Sequence, residues 1–242
     1  REQFEPATAC RVADGLGVSG DVAIFDLSNA CLGVLNGMLD VANRIELGQI
    51  RAGLVVSCES AREINEVMIT KMLEERNMQH FANSLATLTG GSGAVAVLLT
   101  DGSFGKTNLH RLLGGTTKAE PRHHNLCLWG VGPDGKGGYQ QSMATDGVNV
   151  MNHGVELGKR TWKSFLPNVG WTAAMIDRVI CHQVGSAHQS MILKTLGIPA
   201  EKDFTTYEFL GNMGTVSLPL TAALAVERDV LLAGDKVAFL GI

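Results

Sequence analysis

The stretch Phe25-Asp26-Leu27-Ser28-Asn29-Ala30-Cys31-Leu32-Gly33 constrains this chain more than any other. The run Asp21-Val22-Ala23-Ile24-Phe25 ahead of it reads as a strand, and residues 32–42 behind it read as a helix of small and apolar residues. A strand that turns straight into a helix is the building unit of α/β layers. A cysteine on that turn lies at the positive end of the helix dipole, which favours the thiolate, the nucleophilic form. The turn also lifts the sulfur above the sheet, as nucleophile elbows do. The alternative is a buried cysteine acting as a small hydrophobe. Two later stretches supply the partners a nucleophilic cysteine needs, and they decide for the reactive reading.

Composition narrows the class. The 242 residues are 45% hydrophobic but only 5% aromatic, with 29 glycines, which suits tightly packed α/β layers. A net charge of -4 leaves no electrostatic footprint for nucleic acid. No apolar run is long enough to predict a membrane span. The five cysteines, at 10, 31, 58, 127 and 181, form no C-x-x-C pair, which fits a reducing, cytoplasmic setting. The chain opens at Arg1 in what reads as mid-domain sequence and stops on the β-type run Val237-Ala238-Phe239-Leu240-Gly241-Ile242, so both ends are expected to continue in a longer chain.

In chain order, residues 9–16 read as a short helix. The helix after Cys31 carries Leu32, Leu35, Met38 and Leu39 near one face, then Val41 and Ile45, with Gly48 as its C-cap. Residues 52–57 form a continuous apolar run of the buried parallel-strand type. Residues 61–89 read as largely helical and rich in methionine. There Met68, Met72 and Phe81 are either ordinary packing or the wall of a pocket for a flexible apolar ligand. Gly90-Gly91-Ser92-Gly93 lacks the spacing of a nucleotide loop and predicts close backbone packing before a buried strand at 94–99. Residues 101–146 carry loop signals, and the main boundary falls near 105, giving units 1–105 and 106–242. His123-His124 has no carboxylate or cysteine at ligand spacing, so a solvated loop pair is expected and no metal. Residues 148–166 form an amphipathic helix through Met151, Val155, Gly158, Trp162 and Phe165, with Trp162 in the core.

The second informative stretch is a strand at 177–181 ending in His182-Gln183, followed by a helix at 186–196 that stops at Gly197. The C-terminal end of such a strand is where α/β sheets bind ligands. Cys181 is expected to be buried and inert, and His188 to be a helix-face histidine with a structural hydrogen bond. The third stretch, Gly211-Asn212-Met213-Gly214, opens a helix over 215–231, and its asparagine amide is free to point into a cleft. Asp235-Lys236 turns into the last strand.

Cysteine, histidine and asparagine thus occur in that order, each on a turn. Asn29-Ala30-Cys31-Leu32-Gly33, Val179-Ile180-Cys181-His182-Gln183 and Gly211-Asn212-x-Gly-x-x-Ser217-x-Pro219 resemble the three active-site signatures of the thiolase superfamily, in its β-ketoacyl-acyl-carrier-protein synthase III branch. The resemblance runs along essentially the whole chain. It implies a five-layered α-β-α-β-α fold of two duplicated halves in a homodimer. Residues 1–105 would be the later part of the first half, whose N-terminal part is absent, and 106–242 the second half, ending before the glycine-rich segment that closes the family's oxyanion hole. No cofactor is implied, only thioesters of coenzyme A or acyl carrier protein as substrates.

The chemistry the resemblance implies is a Claisen condensation. Cys31 takes an acyl group, and His182 and Asn212 hold the oxygen of a second thioester as its α-carbon becomes a carbanion. Met68, Met72 and Phe81 become candidates for an acyl-pocket wall. A finer resemblance rests on Phe4-Glu5-Pro6-Ala7-Thr8-Ala9, 26 residues before Cys31, which looks like a segment of the head-to-head acyl-CoA condensing enzymes of long-chain olefin biosynthesis. There a glutamate serves the partner subunit's site as base, a role that carries over to Glu5. The leading expectation is a synthase III-like acyltransferase. Non-decarboxylative joining of two acyl-CoAs, with Glu5 as base, is the alternative. A papain-type Cys-His-Asn hydrolase finds no support, since no C-G-S-C-W-like segment surrounds Cys31 and the strand–helix repeat does not suit it. A non-catalytic acyl-pocket subunit would have no need to keep all three residues.

Overall fold

The computed structural model describes residues 5–105, 110–134 and 137–242. In chain order, α1 (Thr8–Gly15) precedes a 3₁₀ turn, Ala30–Leu32, and α2 (Gly33–Glu46). Then come β1 (Ala52–Glu59), α3 (Arg62–Glu75), α4 (Met78–Leu88) and β2 (Gly93–Thr100). After them lie β3 (Cys127–Pro133), β4 (Tyr139–Thr145), α5 (Gly147–Asn168), β5 (Arg178–Cys181) and α6 (Ser186–Leu196). The chain closes with α7 (Tyr207–Leu210), α8 (Ser217–Glu227) and β6 (Val237–Leu240). Among the described residues no helix is long and apolar enough to cross a membrane.

The β5–β6 pair carries the core. The two strands run parallel, Arg178 opposite Val237 and Cys181 opposite Leu240. Side chains alternate along a strand. Val179 and Cys181 therefore enter one cluster with Val155, Trp162, Ile192 and Leu193 from α5 and α6, while Ile180 enters another with Leu218 and Ala225 of α8. Both faces of β5 are covered, so its C-terminal end is held from two sides.

The helix that follows Cys31 is seated through small residues. A Cβ on Gly37 of α2 would lie 2.9 Å from Val55 Cγ1, and one on Gly53 of β1 would lie 2.6 Å from Val41 Cγ1. The glycines let α2 lie directly on β1. Ahead of it, α1 has no cap from its own N-cap residue, Ala7. Its first amides, of Thr8 and Ala9, donate instead to the Asp26 carboxylate at 3.0 and 2.9 Å. The segment that carries Glu5 is thereby anchored to the lead-in of Cys31.

Several expectations change. The run at 22–25 is extended but takes part in no ladder among the described residues, and Phe25 and Val22 remain exposed. The strands expected as buried and parallel, β1 and β2, pair antiparallel, Ala52 opposite Thr100. The α3–α4 hairpin between them reverses the chain, and alternate residues such as Leu54 and Leu98 face outward. The stretch read as loops contains a hairpin, β3–β4, with Cys127 opposite Thr145. The helix expected over 215–231 is a 3₁₀ turn, Gly214–Val216, followed by α8, which stops at Glu227. His123 does not stand free in a loop: its ring stacks on His153 at 3.8 Å.

The glycine run before β2 meets its expectation of close packing. A Cβ on Gly91 would lie 1.8 Å from the Leu210 carbonyl oxygen. Gly91→Ala is therefore expected to destabilise the protein by at least about 1–3 kcal/mol, the usual cost of overpacking. Gly130→Ala, where nothing lies within 4 Å of the added carbon, is the control. Thermal unfolding of the two variants checks this, and equal midpoints would contradict it.

Candidate active site

Three turns converge. The first is that of Cys31. Ala30 takes φ of +41°, a left-handed conformation rare outside glycine. This bend, and the 3₁₀ turn it opens, set Cys31 three residues before Val34 at the start of α2. Leu32 N–H donates to Asn29 C=O at 2.9 Å, and Asn29 Nδ2 donates to Asn36 Oδ1. A non-glycine residue held left-handed typically costs about 1–3 kcal/mol and persists where its surroundings enforce it.

The second is His182, at the end of β5. Its N–H donates to Leu240 C=O at 2.9 Å, extending the ladder with β6 by one rung. The residue after Leu240, Gly241, lies against the Cys31 turn: a Cβ there would fall 2.5 Å from Leu32 Cδ2. Gln183, fully buried, fastens this corner. Its Nε2 donates to Cys181 C=O at 2.6 Å, and its Oε1 accepts from Thr206 and Tyr207 N–H at 2.7 and 3.1 Å. The His182 imidazole is 3% exposed, and its Nδ1 meets no protein partner. Burial, reinforced by nearby His188, pushes its pKa down to about 4, so it is neutral at pH 7.

The third is Asn212. Its N–H donates to Thr89 C=O at 2.9 Å, and its own C=O accepts from Gly91 N–H at 2.8 Å. Gly211, at φ +68°, lets the backbones meet: a Cβ there would sit 2.5 Å from Thr89 O. The Asn212 side chain is oriented too. Oδ1 accepts from Gly214 N–H at 3.0 Å, which leaves the Nδ2 donor for a ligand. Thr215 then joins this turn to the first, its Oγ1 accepting Val34 N–H at 2.7 Å. The three sequence-expected residues thus lie on three adjoining turns.

Electrostatics correct one expectation. Cys31 is not held as a thiolate. Burial pushes its thiol up to about 11, helped by the nearby Cys127 and Glu59, and only a backbone hydrogen bond opposes them. The helix end is less free than the sequence implied, because Thr215 occupies the Val34 donor. Glu59, at the end of β1, lies beside Gly214, and burial raises its pKa in turn. Cys181 is buried as expected, its thiol pushed upward by burial and by Asp203. His188 departs from expectation: its Nδ1 is buried without a partner.

Of the pocket candidates, Met68 and Met72 line a cavity of about 140 Å³ with Lys71, His80, Asn83, Ser84 and Met143. Phe81 is 43% exposed and does not line it. Glu5 is exposed ahead of α1. Sequence reasoning did not reach Thr215 or Glu59, nor the partners of Gln183, since a side chain's distant partner leaves no local signal in the sequence. Among the described residues no three His, Cys, Asp or Glu side chains group to hold a metal.

Comparison with known proteins gives a consistent picture. Residues 166–242 match the family described as 3-oxoacyl-[acyl-carrier-protein] synthase III C terminal. The whole chain is 59% identical to an acyl-CoA:acyl-CoA alkyltransferase of Shewanella oneidensis, of which it covers 70%. It is 32% identical, again over its whole length, to the alkyltransferase of Xanthomonas campestris, covering 69% of it. A β-ketoacyl-[acyl-carrier-protein] synthase III of Erythrobacter litoralis is 27% identical over 97% of the chain and 68% of its own length. A solved structure of Xanthomonas campestris OleA with bound lauric acid and lauroyl-CoA superimposes with a TM-score of 0.90 at 32% identity, over all of this chain and 69% of that one.

The buried histidine has a measurable consequence. Between pH 6.5 and about 4 the unfolded chain protonates His182 while the folded chain does not, so stability is full above this window and falls as the pH drops through it. The ceiling is roughly 3 kcal/mol, from the size of the shift. His182→Asn is expected to flatten the loss of urea stability between pH 7 and 5. Identical slopes for both proteins would contradict it.

Proposed function

The chain belongs to the thiolase-like family of acyl-CoA:acyl-CoA alkyltransferases and synthase III enzymes and is an acyltransferase; from that premise we propose that it joins two acyl-CoA molecules head to head through an acyl group carried on Cys31. The observation that carries this reading is the convergence of the Cys31, His182 and Asn212 turns, with the Asn212 amide turned donor-outward by Gly214. Identity to the Shewanella alkyltransferase, 59%, is more than twice the 27% to the Erythrobacter synthase, which favours the alkyltransferase reading over a decarboxylating synthase.

In this mechanism the Cys31 sulfur attacks the thioester carbonyl of the first acyl-CoA. The thiol proton leaves with the departing coenzyme A, which is released as a free thiol. The raised pKa of Cys31 makes this coupling necessary, since the resting sulfur keeps its proton. A second acyl-CoA then loses an α-proton to a carboxylate. Its enolate oxygen receives hydrogen bonds from the neutral His182 imidazole and from Asn212 Nδ2. Neutral His182 is suited to that task, because a neutral N–H donor need not lose its charge when the enolate collapses. The α-carbon attacks the acyl-cysteine carbonyl, the carbon–sulfur bond breaks, and the sulfur regains a proton as a β-keto thioester leaves.

Glu5 is proposed as the base, acting in the site of a partner copy within a homodimer. The support is spacing. In solved Xanthomonas campestris relatives the substituted glutamate precedes the substituted cysteine by 26 residues, as Glu5 precedes Cys31. Met68 and Met72, on their cavity, are proposed to face the acyl chain.

The test uses the full-length parent protein with a long-chain acyl-CoA alone. Mass spectrometry is expected to find acyl-Cys31 and a β-keto product carrying both chains, and Glu5→Gln to keep the first while losing the second by about 10²-fold or more. Product that appears only with a malonyl thioester would replace this reading by a decarboxylating synthase. Absence of acyl-Cys31 would refute it.

A further inference from the structure

The turn after Asn212 carries a contact that its sequence motif does not announce. Thr215 is 8% exposed, and its hydroxyl accepts the N–H of Val34, 181 positions earlier in the chain, at 2.7 Å. Val34 N–H is one of the first-turn donors of α2 that no helical carbonyl can reach. Neither Asn29 nor Leu32, the residues at the two N-cap positions there, caps it with a side chain. Thr215 therefore supplies the missing cap from a distant turn. The fit is close, since a Cβ on Gly33 would stand 3.3 Å from Thr215 Oγ1.

We infer that Thr215 is a positioning residue that fixes the register of the Cys31 turn against the Asn212 turn, an inference that rests on the roles given above to those two residues. The Asn212 turn is already fixed to the entrance of β2, by Asn212 N–H on Thr89 and Gly91 N–H on Asn212. It is closed at its far end by Met213 N–H donating to Ser217 Oγ at 2.9 Å. Thr215, between these points, ties the same turn to α2. The two chemical steps differ in what they ask of this tie. Acylation needs Cys31 and one incoming thioester. Carbon–carbon bond formation needs the acyl carbon on Cys31 and the enolate oxygen on Asn212 at one fixed separation. A misplacement on the order of 1 Å costs about 10²-fold in such a step. Loss of the Thr215 acceptor therefore falls on condensation and spares acylation.

The experiment compares the full-length parent protein with Thr215→Val, which keeps the shape and removes the acceptor, and Thr215→Ser, which keeps the hydroxyl. Incubated with a long-chain acyl-CoA, T215V is expected to reach the parent's stoichiometry of acyl-Cys31, while its condensation kcat falls about 10–100-fold with KM little changed. T215S is expected to recover most of that kcat. Thr215→Ala provides a second acceptor-free variant should T215V misfold by circular dichroism, and the same split is expected of it. Condensation by T215V or T215A at the parent's rate would overturn the inference. So would T215S as slow as T215V, or acylation reduced as much as condensation. A parent protein that forms no acyl-Cys31 would refute the underlying reading, and the inference with it.

Discussion

Two backbones pass so closely at Gly91 and Gly211 that neither position has room for a side chain, and this approach is what the rest of the site depends on. It brings Asn212 into a bridge with the segment before β2, exchanging amide hydrogen bonds with Thr89 and Gly91. Residues far apart in sequence are thereby joined at main-chain distance, where tolerance is a few tenths of an ångström. Side-chain contacts flex, but a backbone bridge flanked by glycine does not slide without breaking two hydrogen bonds. The Cys31 turn reaches this bridge through Thr215, and the His182 corner reaches the Cys31 turn through Gly241 and Leu32.

Dry, close-packed surroundings also set the charge states. Burial holds His182 neutral and keeps the Cys31 thiol protonated, and it raises the carboxyl of Glu59 beside Gly214. All three shifts favour the uncharged form, as desolvation requires. Cys31 and His182 thus rest uncharged at pH 7. They meet charge only when the reaction generates it, which is when donors fixed in a dry cavity stabilise it most.

Much of this was legible in the sequence, because motifs report local geometry. The turns of His182 and Asn212 were readable from the strand and helix patterns around them, that of Cys31 from the helix behind it alone, and Gly90-Gly91 read correctly as close packing. The sequence misled where long-range pairing decides. Residues 52–57 and 94–99 have the composition of buried parallel strands, yet β1 and β2 pair antiparallel, because the direction of a partner is set by the α3–α4 connection and not by apolar content. Cys31 looked like a stabilised thiolate from its place before a helix. Burial outweighs the helix end there, and the Val34 donor of that end is taken by Thr215, 184 residues later in the chain than Cys31. Gln183 holds the His182 corner by four polar contacts, and a glutamine after a histidine gives no local hint of them.

The central claim is that the three turns form one site in which Asn212 and His182 present donors to an oxygen next to Cys31. The most direct test is a crystal structure of the full-length parent protein with a carbonyl-bearing, thiol-directed inhibitor attached covalently to Cys31. The account predicts an inhibitor oxygen within hydrogen-bonding distance of both Asn212 Nδ2 and the His182 imidazole, with Asn212 Oδ1 still accepting from Gly214. An inhibitor attached to another cysteine, or an Asn212 amide with its oxygen turned toward the inhibitor, would contradict it.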